Sequence, residues 1–474
     1  MTADMLRQGH QNPLPDGGPR VAIVGGGLAG LAAAEAAARC GLRVELFEAR
    51  RRLGGRAGSF HDRGSGLWID HCQHVGLDCC TNLIEFCRRT GVDDCFRHDG
   101  RLHIIGPQGT RHDFAATAWL PAPLHLAPAL LRLGFLSLRD RFSIARAIVS
   151  LVCPPRDEPE PAGQIIDAWL RRHGQSEQAV RLFWLPVLIS ALSQSLDRID
   201  LSAARKVFLD GFLAAPRAYR LYLPTVPLSE IYDRRLARHL GLQGVAVHLG
   251  TGVRRIEGDR QRATELVLAD GTRQAFDDVI VAVPWFRAGR LLAPALQEAL
   301  PQVQEAARIP PAPITAVHLW FDQPLTRLPH AVLVGRTGQW VFCRGDDCYY
   351  QVVISASDGR ARRERVVAQV CDELRAIWPA ARQARLRRAR TLTHPAAVFS
   401  AEPGMERLRP AQQTGVANLF LAGDWTATGW PATMEGAVRS GCLAVESLLR
   451  SIGRGTRLLV PDLPRSRLVR WWLR

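Results

Sequence analysis

The segment Val21-Ala22-Ile23-Val24-Gly25-Gly26-Gly27-Leu28-Ala29-Gly30 constrains this chain more than any other. Four apolar residues read as a short buried strand. G-x-G-x-x-G follows at once, and an alanine-rich helical stretch runs from Leu28 to Arg39. That order predicts the opening of a βαβ unit on a parallel sheet. Gly25 permits the tight turn, Gly27 lets a pyrophosphate approach the backbone, and Gly30 lets helix and strand pack closely. Free N–H groups at the helix start, those of Leu28 and Ala29 among them, favour phosphate charge. Gly41 stops the helix, and a second strand over 42–47 ends at Glu48. This carboxylate lies eighteen residues beyond Gly30. An acidic side chain about 20 residues on accepts hydrogen bonds from ribose hydroxyls.

A chain of 474 residues holds two or three domains, or one large interdigitated unit. At 47% hydrophobic and 22% charged residues it is not a disordered chain. No window approaches the roughly 20 apolar residues of a membrane span. The first nineteen residues are polar and rich in Gly and Pro, and read as no secretory signal. The eleven cysteines contain no C-x-x-C, so reduced thiols in a cytoplasm are expected. The Cys72 to Cys95 cluster, with His71 and His74 inside it, matches no zinc spacing, and no metal site is expected. The net charge of +16 favours anionic partners. No nucleic-acid signature is present, which leaves the inner face of an anionic cell membrane as the expected partner and no nucleic acid.

Periodicity predicts amphipathic helices over 124–151, 164–172, 179–196, 203–213 and 228–240, with the Pro-rich linker 154–161 between the first two. Strand patterns fill 245–283, with a turn at Asp270-Gly271, and return in 311–400 around a basic helix over 360–378. The chain closes with a strand over 418–422 and a helix over 434–449. The expected class is α/β, a Rossmann-like domain interleaved with an α+β substrate domain and a helical insert. The boundaries read as 20–114, 241–295 and 401–450 for the nucleotide domain, 115–240 for the insert, 296–400 for the substrate sheet, and 451–474 for a basic tail.

Three separated stretches resemble the FAD-dependent amine oxidase and phytoene desaturase superfamily, flavoproteins of the GR2 type. Glu48-Ala49-Arg50-Arg51-Arg52-Leu53-Gly54-Gly55-Arg56 resembles its E-x-R-x-x-x-G-G-R stretch. Gly250-Thr251-Gly252-Val253-Arg254-Arg255-Ile256 and the strand over 278–283 resemble the pair that clasps the adenine, with Val253 as backbone contact. In the strand ending Gly423-Asp424, the Asp is implied to contact the ribityl and phosphate region. Met434-Glu435-Gly436-Ala437 opens a helix implied to point at the flavin's pyrimidine edge. The cofactor implied is FAD, held by Gly25, Gly27, Leu28, Ala29, Gly30, Glu48, Ala49, Arg50, Gly55, Arg56, Val253, Gly423, Asp424, Met434, Glu435 and Ala437.

Within that superfamily, Asp70-His71-Cys72-Gln73-His74 looks like the D-x-G-Q-H segment of hydroxysqualene dehydroxylases, with Cys72 where that family usually has Gly. Residues 227–232 and 429–437 look like the same family. The resemblance implies that reduced flavin replaces an allylic hydroxyl of hydroxysqualene with hydride, giving squalene. Such chemistry needs an acid for the leaving oxygen and a dry apolar tunnel. His74 is the candidate acid, with Gln73 or Asp70 orienting it. Phe183, Trp184, Leu188 and Trp430 are the candidate tunnel wall. Carotenoid-type desaturation uses the same fold and substrate class, and differs only in the direction of hydride transfer. Amine oxidation is disfavoured, because the strand that carries a flavin-proximal Lys in those enzymes reads Ile314-Thr315-Ala316 here. A non-catalytic flavoprotein is the further alternative. No second G-x-G-x-x-G appears, so the electron donor stays open between NAD(P)H, a quinol and a redox protein. The tail from Arg465 to Arg474 interleaves Arg with Leu, Val and Trp, which suits an interfacial anchor.

Overall fold

A computed structural model describes residues 18–153, 163–345, 348–359 and 362–472. The linker 154–161, the start of the basic helix at 360–361, the side chains of Trp471 and Trp472, and all of Leu473 and Arg474 lie outside the described residues. The sequence opening folds as read. Strand Arg20–Val24 runs into helix Leu28–Arg39 and then strand Arg43–Glu48. These strands join a five-stranded sheet in the order 246–249, 43–48, 20–24, 278–281, 419–421, every neighbour parallel. Its central strands are apolar because both faces are covered, one by helices Leu28–Arg39 and Met434–Ser451, the other by strands Val253–Gly258 and Ala263–Leu268 with the short helices over 285–306. Helix Leu28–Arg39 is buried almost throughout and packs against the C-terminal helix Met434–Ser451. Gly441 permits this contact, since a Cβ there would stand 2.4 Å from the Ala29 carbonyl oxygen. Gly25 sits at φ +114°, where a Cβ would meet the Ala282 oxygen at 2.6 Å.

A seven-stranded sheet forms the second layer, in the order 386–399, 311–321, 349–355, 340–344, 330–333, 101–105, 111–115. The sequence boundaries place the hairpin of 101–105 and 111–115 in the nucleotide segment. It instead pairs in parallel with 330–333, a partner more than 200 residues away that no local pattern reveals. The opposite shift occurs at 228–240. The sequence boundaries place Leu228, Ile231, Tyr232, Leu236 and Leu240 in the helical insert, yet they pack into the core of the nucleotide domain beside Ala33 and Leu46.

The insert has its own core around Leu130, Ile144, Trp169, Trp184, Leu188 and Phe208. The single helix expected over 124–151 breaks at 132–137. Ser137 caps a new helix, Leu138–Val152, accepting from the Asp140 N–H at 3.1 Å while its own hydroxyl donates to Asp140 at 2.6 Å. Three π-helical turns, Val180–Trp184, Leu209–Leu213 and Ser229–Arg235, interrupt the other helices. The tail folds back onto the protein. Leu458 joins the nucleotide core, Val469 joins the insert core, and the Ser466 N–H donates to the Ala214 carbonyl at 2.9 Å.

Candidate active site

One cavity of about 1070 Å³ runs from the glycine loop, past the far-end motif, into the helical insert. It stands at the large end of the roughly 300–1,000 Å³ range of small-molecule sites. At its nucleotide end, Gly27 caps helix Leu28–Arg39 with no side chain over its first amides and nothing within 4 Å of where a Cβ would be. Those amides lack intrahelical partners and face the cavity through Leu28 and Ala29. Gly30 lies beneath, where a Cβ would be 1.9 Å from the Gly25 oxygen. Gly25, Glu48, Ala49, Arg50, Gly55, Arg56, Val253, Gly423, Asp424, Met434, Glu435 and Ala437 all reach the same cavity. An open run of amides, two arginines and a second helix start form a donor set that fits a dinucleotide diphosphate carrying a flavin.

Three details differ from the expected roles. Glu48 already accepts from the Gly26 amide at 2.7 Å and the Arg50 amide at 2.8 Å, so it also ties the first glycine turn to the end of its own strand. Gly54 and Gly55 pack backbone on backbone against the first loop, the Gly54 N–H donating to the Gly26 oxygen at 2.9 Å. Glu435 turns its carboxylate away to cap the neighbouring helix. It accepts from the Leu83 amide at 2.7 Å and from Arg439 Nε at 2.7 Å, which leaves its backbone to the cavity.

The Gln73-His74 segment also lines the cavity, but not as an assembled acid. His74 Nδ1 lies 2.9 Å from the Cys72 carbonyl oxygen and donates to it, so Nε2 presents a lone pair. Burial, helped by Arg56, holds its pKa below the usual histidine value, against the pull of the Cys72 carbonyl and Asp70. A neutral imidazole with that tautomer accepts a proton and does not donate one. Gln73 Oε1 is buried with no partner among the described residues, while its amide donates to the His74 carbonyl at 3.3 Å. Asp70 does not orient His74. It is buried outside the cavity wall, accepting from Ser59 Oγ at 2.7 Å, the Leu228 amide at 2.9 Å and Arg344 at 3.1 Å. Burial pushes the Cys72 thiol up to about 12, so it is an uncharged wall group.

Of the expected substrate wall, Phe183 and Trp430 line the cavity and Trp184 and Leu188 do not. Trp184 is fully buried with its indole N–H on Gln175 at 2.8 Å, and Leu188 is fully buried in the insert core. The π-turn over Val180–Trp184 rotates the next helix, so Pro186, Val187, Ser190 and Ala191 form the wall. From the stretch Ile314-Thr315-Ala316, Ile314 lines the cavity.

Residues 28–449 match the profile of the flavin containing amine oxidoreductases. The chain belongs to this family. Its cofactor is FAD, and it is an oxidoreductase of the amine oxidase and desaturase superfamily. The hydroxysqualene dehydroxylase of Rhodopseudomonas palustris is 29% identical over 444 residues, covering 90% of this chain and 98% of that protein. The 15-cis-phytoene desaturase of Synechococcus elongatus is 26% identical over 471 residues, covering 91% and 96%. The solved structure of cyclohexylamine oxidase from Brevibacterium oxydans superimposes with a TM-score of 0.69 at 20% identity, covering 92% of this chain and 100% of that one, a likeness of fold alone. Among the described residues no helix is long and apolar enough to cross a membrane, and no three His, Cys, Asp or Glu side chains are grouped as a metal site.

Proposed function

We propose that this flavoprotein reductively dehydroxylates hydroxysqualene to squalene. The observation that carries the reading is the single cavity, whose nucleotide end is built of amides and arginines and whose insert end is lined by Leu126, Leu130, Phe135, Ile148, Phe183 and Phe212. A long polyene suits those walls, and similarity to hydroxysqualene dehydroxylases over nine-tenths of the chain supports the same substrate class. Reduced FAD, when bound, supplies hydride. The protein's part is to hold the polyene, exclude water and protonate the leaving oxygen. His74 offers an acceptor, so the proton has to come from elsewhere on the wall.

Similarity to a phytoene desaturase favours the rival reading, removal of hydride from a hydrocarbon. Amine oxidation has less support, because the wall at Ile314 is aliphatic. The deciding experiment gives hydroxysqualene anaerobically to dithionite-reduced holoenzyme. Squalene is the expected product. No squalene, together with desaturation of phytoene by the oxidised enzyme, would replace this reading with the rival one.

We also propose that the protein docks peripherally on the cytoplasmic face of an anionic membrane. Trp119, Leu124, Leu131, Leu138, Phe142 and Val149 are exposed, and Leu124 and Val149 also line the cavity. Exposed Arg132, Arg139 and Arg146 stand among them. Apolar side chains beside cationic ones suit an anionic interface. The folded-back tail borders this face, Ser466 Oγ donating to the Ala122 carbonyl at 2.5 Å.

A further inference from the structure

Lys206 is the only lysine in the chain. Its Nζ lies 2.8 Å from Asp210 Oδ2 and 4.7 Å from the centroid of the Trp430 ring. Asp210 is also approached by Arg465 Nη2 at 3.6 Å, and Trp430 by the Arg439 guanidinium at 5.3 Å. Lys206, Asp210 and Trp430 all line the cavity. Among the described residues that 115–240 contributes to its wall, Lys206 and Asp210 alone carry a basic or an acidic side chain. The remainder are apolar apart from Ser190, Ser193 and Tyr219.

An i,i+4 pair facing water is an ordinary helix contact. This one faces a cavity built for hydrocarbon, where an ion pair gains little stability over apolar residues of similar volume. The backbone is adapted to the same place. Helix Leu201–Phe208 passes directly into the π-turn Leu209–Leu213, which brings Asp210, Gly211, Phe212 and Leu213 together onto the cavity wall. Turns of this kind concentrate at functional sites. Trp430 stands on the loop that leads into helix Met434–Ser451, so the pair meets the cofactor domain where that helix begins. The Trp430 Nε1 is buried and has no acceptor among the described residues, a second donor beside the ammonium.

We propose that Lys206 and Asp210 recognise the oxygen of a long isoprenoid alcohol, and that Lys206 supplies the proton with which that oxygen leaves as water. The proton-transfer part rests on the dehydroxylation reading. An Nζ–H proton passes to the hydroxyl oxygen, the C–O bond breaks with both electrons on oxygen, and water departs. The carbon takes hydride from the reduced flavin, and the amine regains a proton from solvent past Asp210. A hydrocarbon offers the pair no oxygen, so the pair selects an alcohol over an alkene of equal length.

The test uses holoenzyme in detergent micelles, with three readouts: FAD content, affinity for hydroxysqualene and for squalene from perturbation of the flavin spectrum, and single-turnover squalene formation. Wild type is expected to bind the alcohol about tenfold or more tightly than the hydrocarbon, because a ligand lacking the hydroxyl leaves the buried Trp430 Nε1 without an acceptor and the ion pair against hydrocarbon. Lys206→Met should keep FAD, lose that preference, and slow turnover by about 10²-fold or more. Lys206→Arg should keep the preference yet lose turnover, because a guanidinium does not release its proton. Equal affinity of wild type for the two ligands overturns the proposal. So does Lys206→Met with preference and turnover unchanged. If Lys206→Met fails to fold, the Lys206→Arg split decides, and full turnover by Lys206→Arg overturns the proton-donor role. Preference for the alcohol without squalene formation by wild type upholds recognition and overturns the dehydroxylation reading instead.

Discussion

Arg56 and Asp424, 368 residues apart in the chain, meet at 2.5 Å beside the cofactor cavity. Arg56 also donates to the Ala397 carbonyl at 3.0 Å, so one guanidinium joins the glycine-rich opening, the substrate sheet and the far-end motif. Asp424 is buried, and its removal leaves a partly buried cation without its carboxylate. Asp424→Ala is expected to cost on the order of 3 kcal/mol and to strip FAD from the protein. Flavin absorbance after gel filtration and urea unfolding of the apoprotein measure the two effects. Full FAD occupancy in Asp424→Ala would show that the pair only supports the fold.

Two helices of the nucleotide domain, Leu28–Arg39 and Met434–Ser451, approach backbone to backbone. A Cβ at Gly441 would stand 2.4 Å from the Ala29 oxygen and 2.7 Å from the Ala33 nitrogen, all on backbone that cannot step aside. Gly441→Leu is therefore expected to lose about 1–3 kcal/mol or more from overpacking. Because Ala29 lies in the phosphate loop, FAD affinity should fall with it. Denaturant midpoints with and without added FAD check both, and an unchanged midpoint would mean that the helices separate without penalty.

The parts of this site legible in the sequence are those set by local backbone demands. The glycine loop, the bounds of helix Leu28–Arg39 and the start of helix Met434–Ser451 follow from turn and capping chemistry, and the structure brings their residues to one cavity. The illegible parts depend on distant pairing or on helix irregularity. Nothing local in 101–115 announces strand 330–333 as a partner. The π-turn at Val180–Trp184 alters the face that periodicity assigns, which is why Trp184 and Leu188 point into the core while Val187 and Ala191 face the cavity. Asp70 looked catalytic because it sits beside Gln73 and His74 in the chain, yet its partners Leu228 and Arg344 come from far away. Lys206 carried a signal of its own, as a singular residue type in an arginine-rich chain, but only the fold shows that it faces the cavity.

His318 is fully buried in strand Pro311–Phe321, its Nδ1 2.7 Å from the Tyr349 hydroxyl. Burial lowers its pKa to about 3. Arg390, His71 and Arg344 push in the same direction, and Asp62 opposes them. The folded pKa lies below the unfolded one, so well above about pH 6.5 His318 is neutral in both states and contributes no pH dependence there. As pH falls from about 6.5 toward 3, the unfolded chain takes up a proton that the folded chain refuses, and stability is lost, on the order of 4 kcal/mol across that window. His318→Gln keeps a hydrogen-bonding group toward Tyr349 but does not titrate. Its stability should fall less steeply between pH 6 and 4 than that of wild type, as read from urea unfolding at each pH. Parallel curves would show that His318 is not a source of acid sensitivity.

The exposed apolar residues at 119–149 and the tail make separable predictions about membrane contact. Trp119 is 79% exposed and Leu138 and Phe142 are each 64% exposed, an arrangement that costs free energy in water and gains it at a lipid interface. Val469 is 3% exposed in the insert core, so the described part of the tail contributes packing as well as charge. Replacing Leu138 and Phe142 together by Asp should lower co-sedimentation with anionic vesicles by about tenfold or more, from lost apolar insertion and added negative charge. FAD content should not change, because neither side chain reaches the cavity. Truncation after Ser451 should weaken vesicle binding and also lower stability, since it removes Leu458 and Val469 from the two cores. If the double Asp variant binds vesicles as wild type does while the truncation does not, the tail alone is the anchor. If both bind as wild type does, neither the exposed apolar face nor the tail carries the membrane contact.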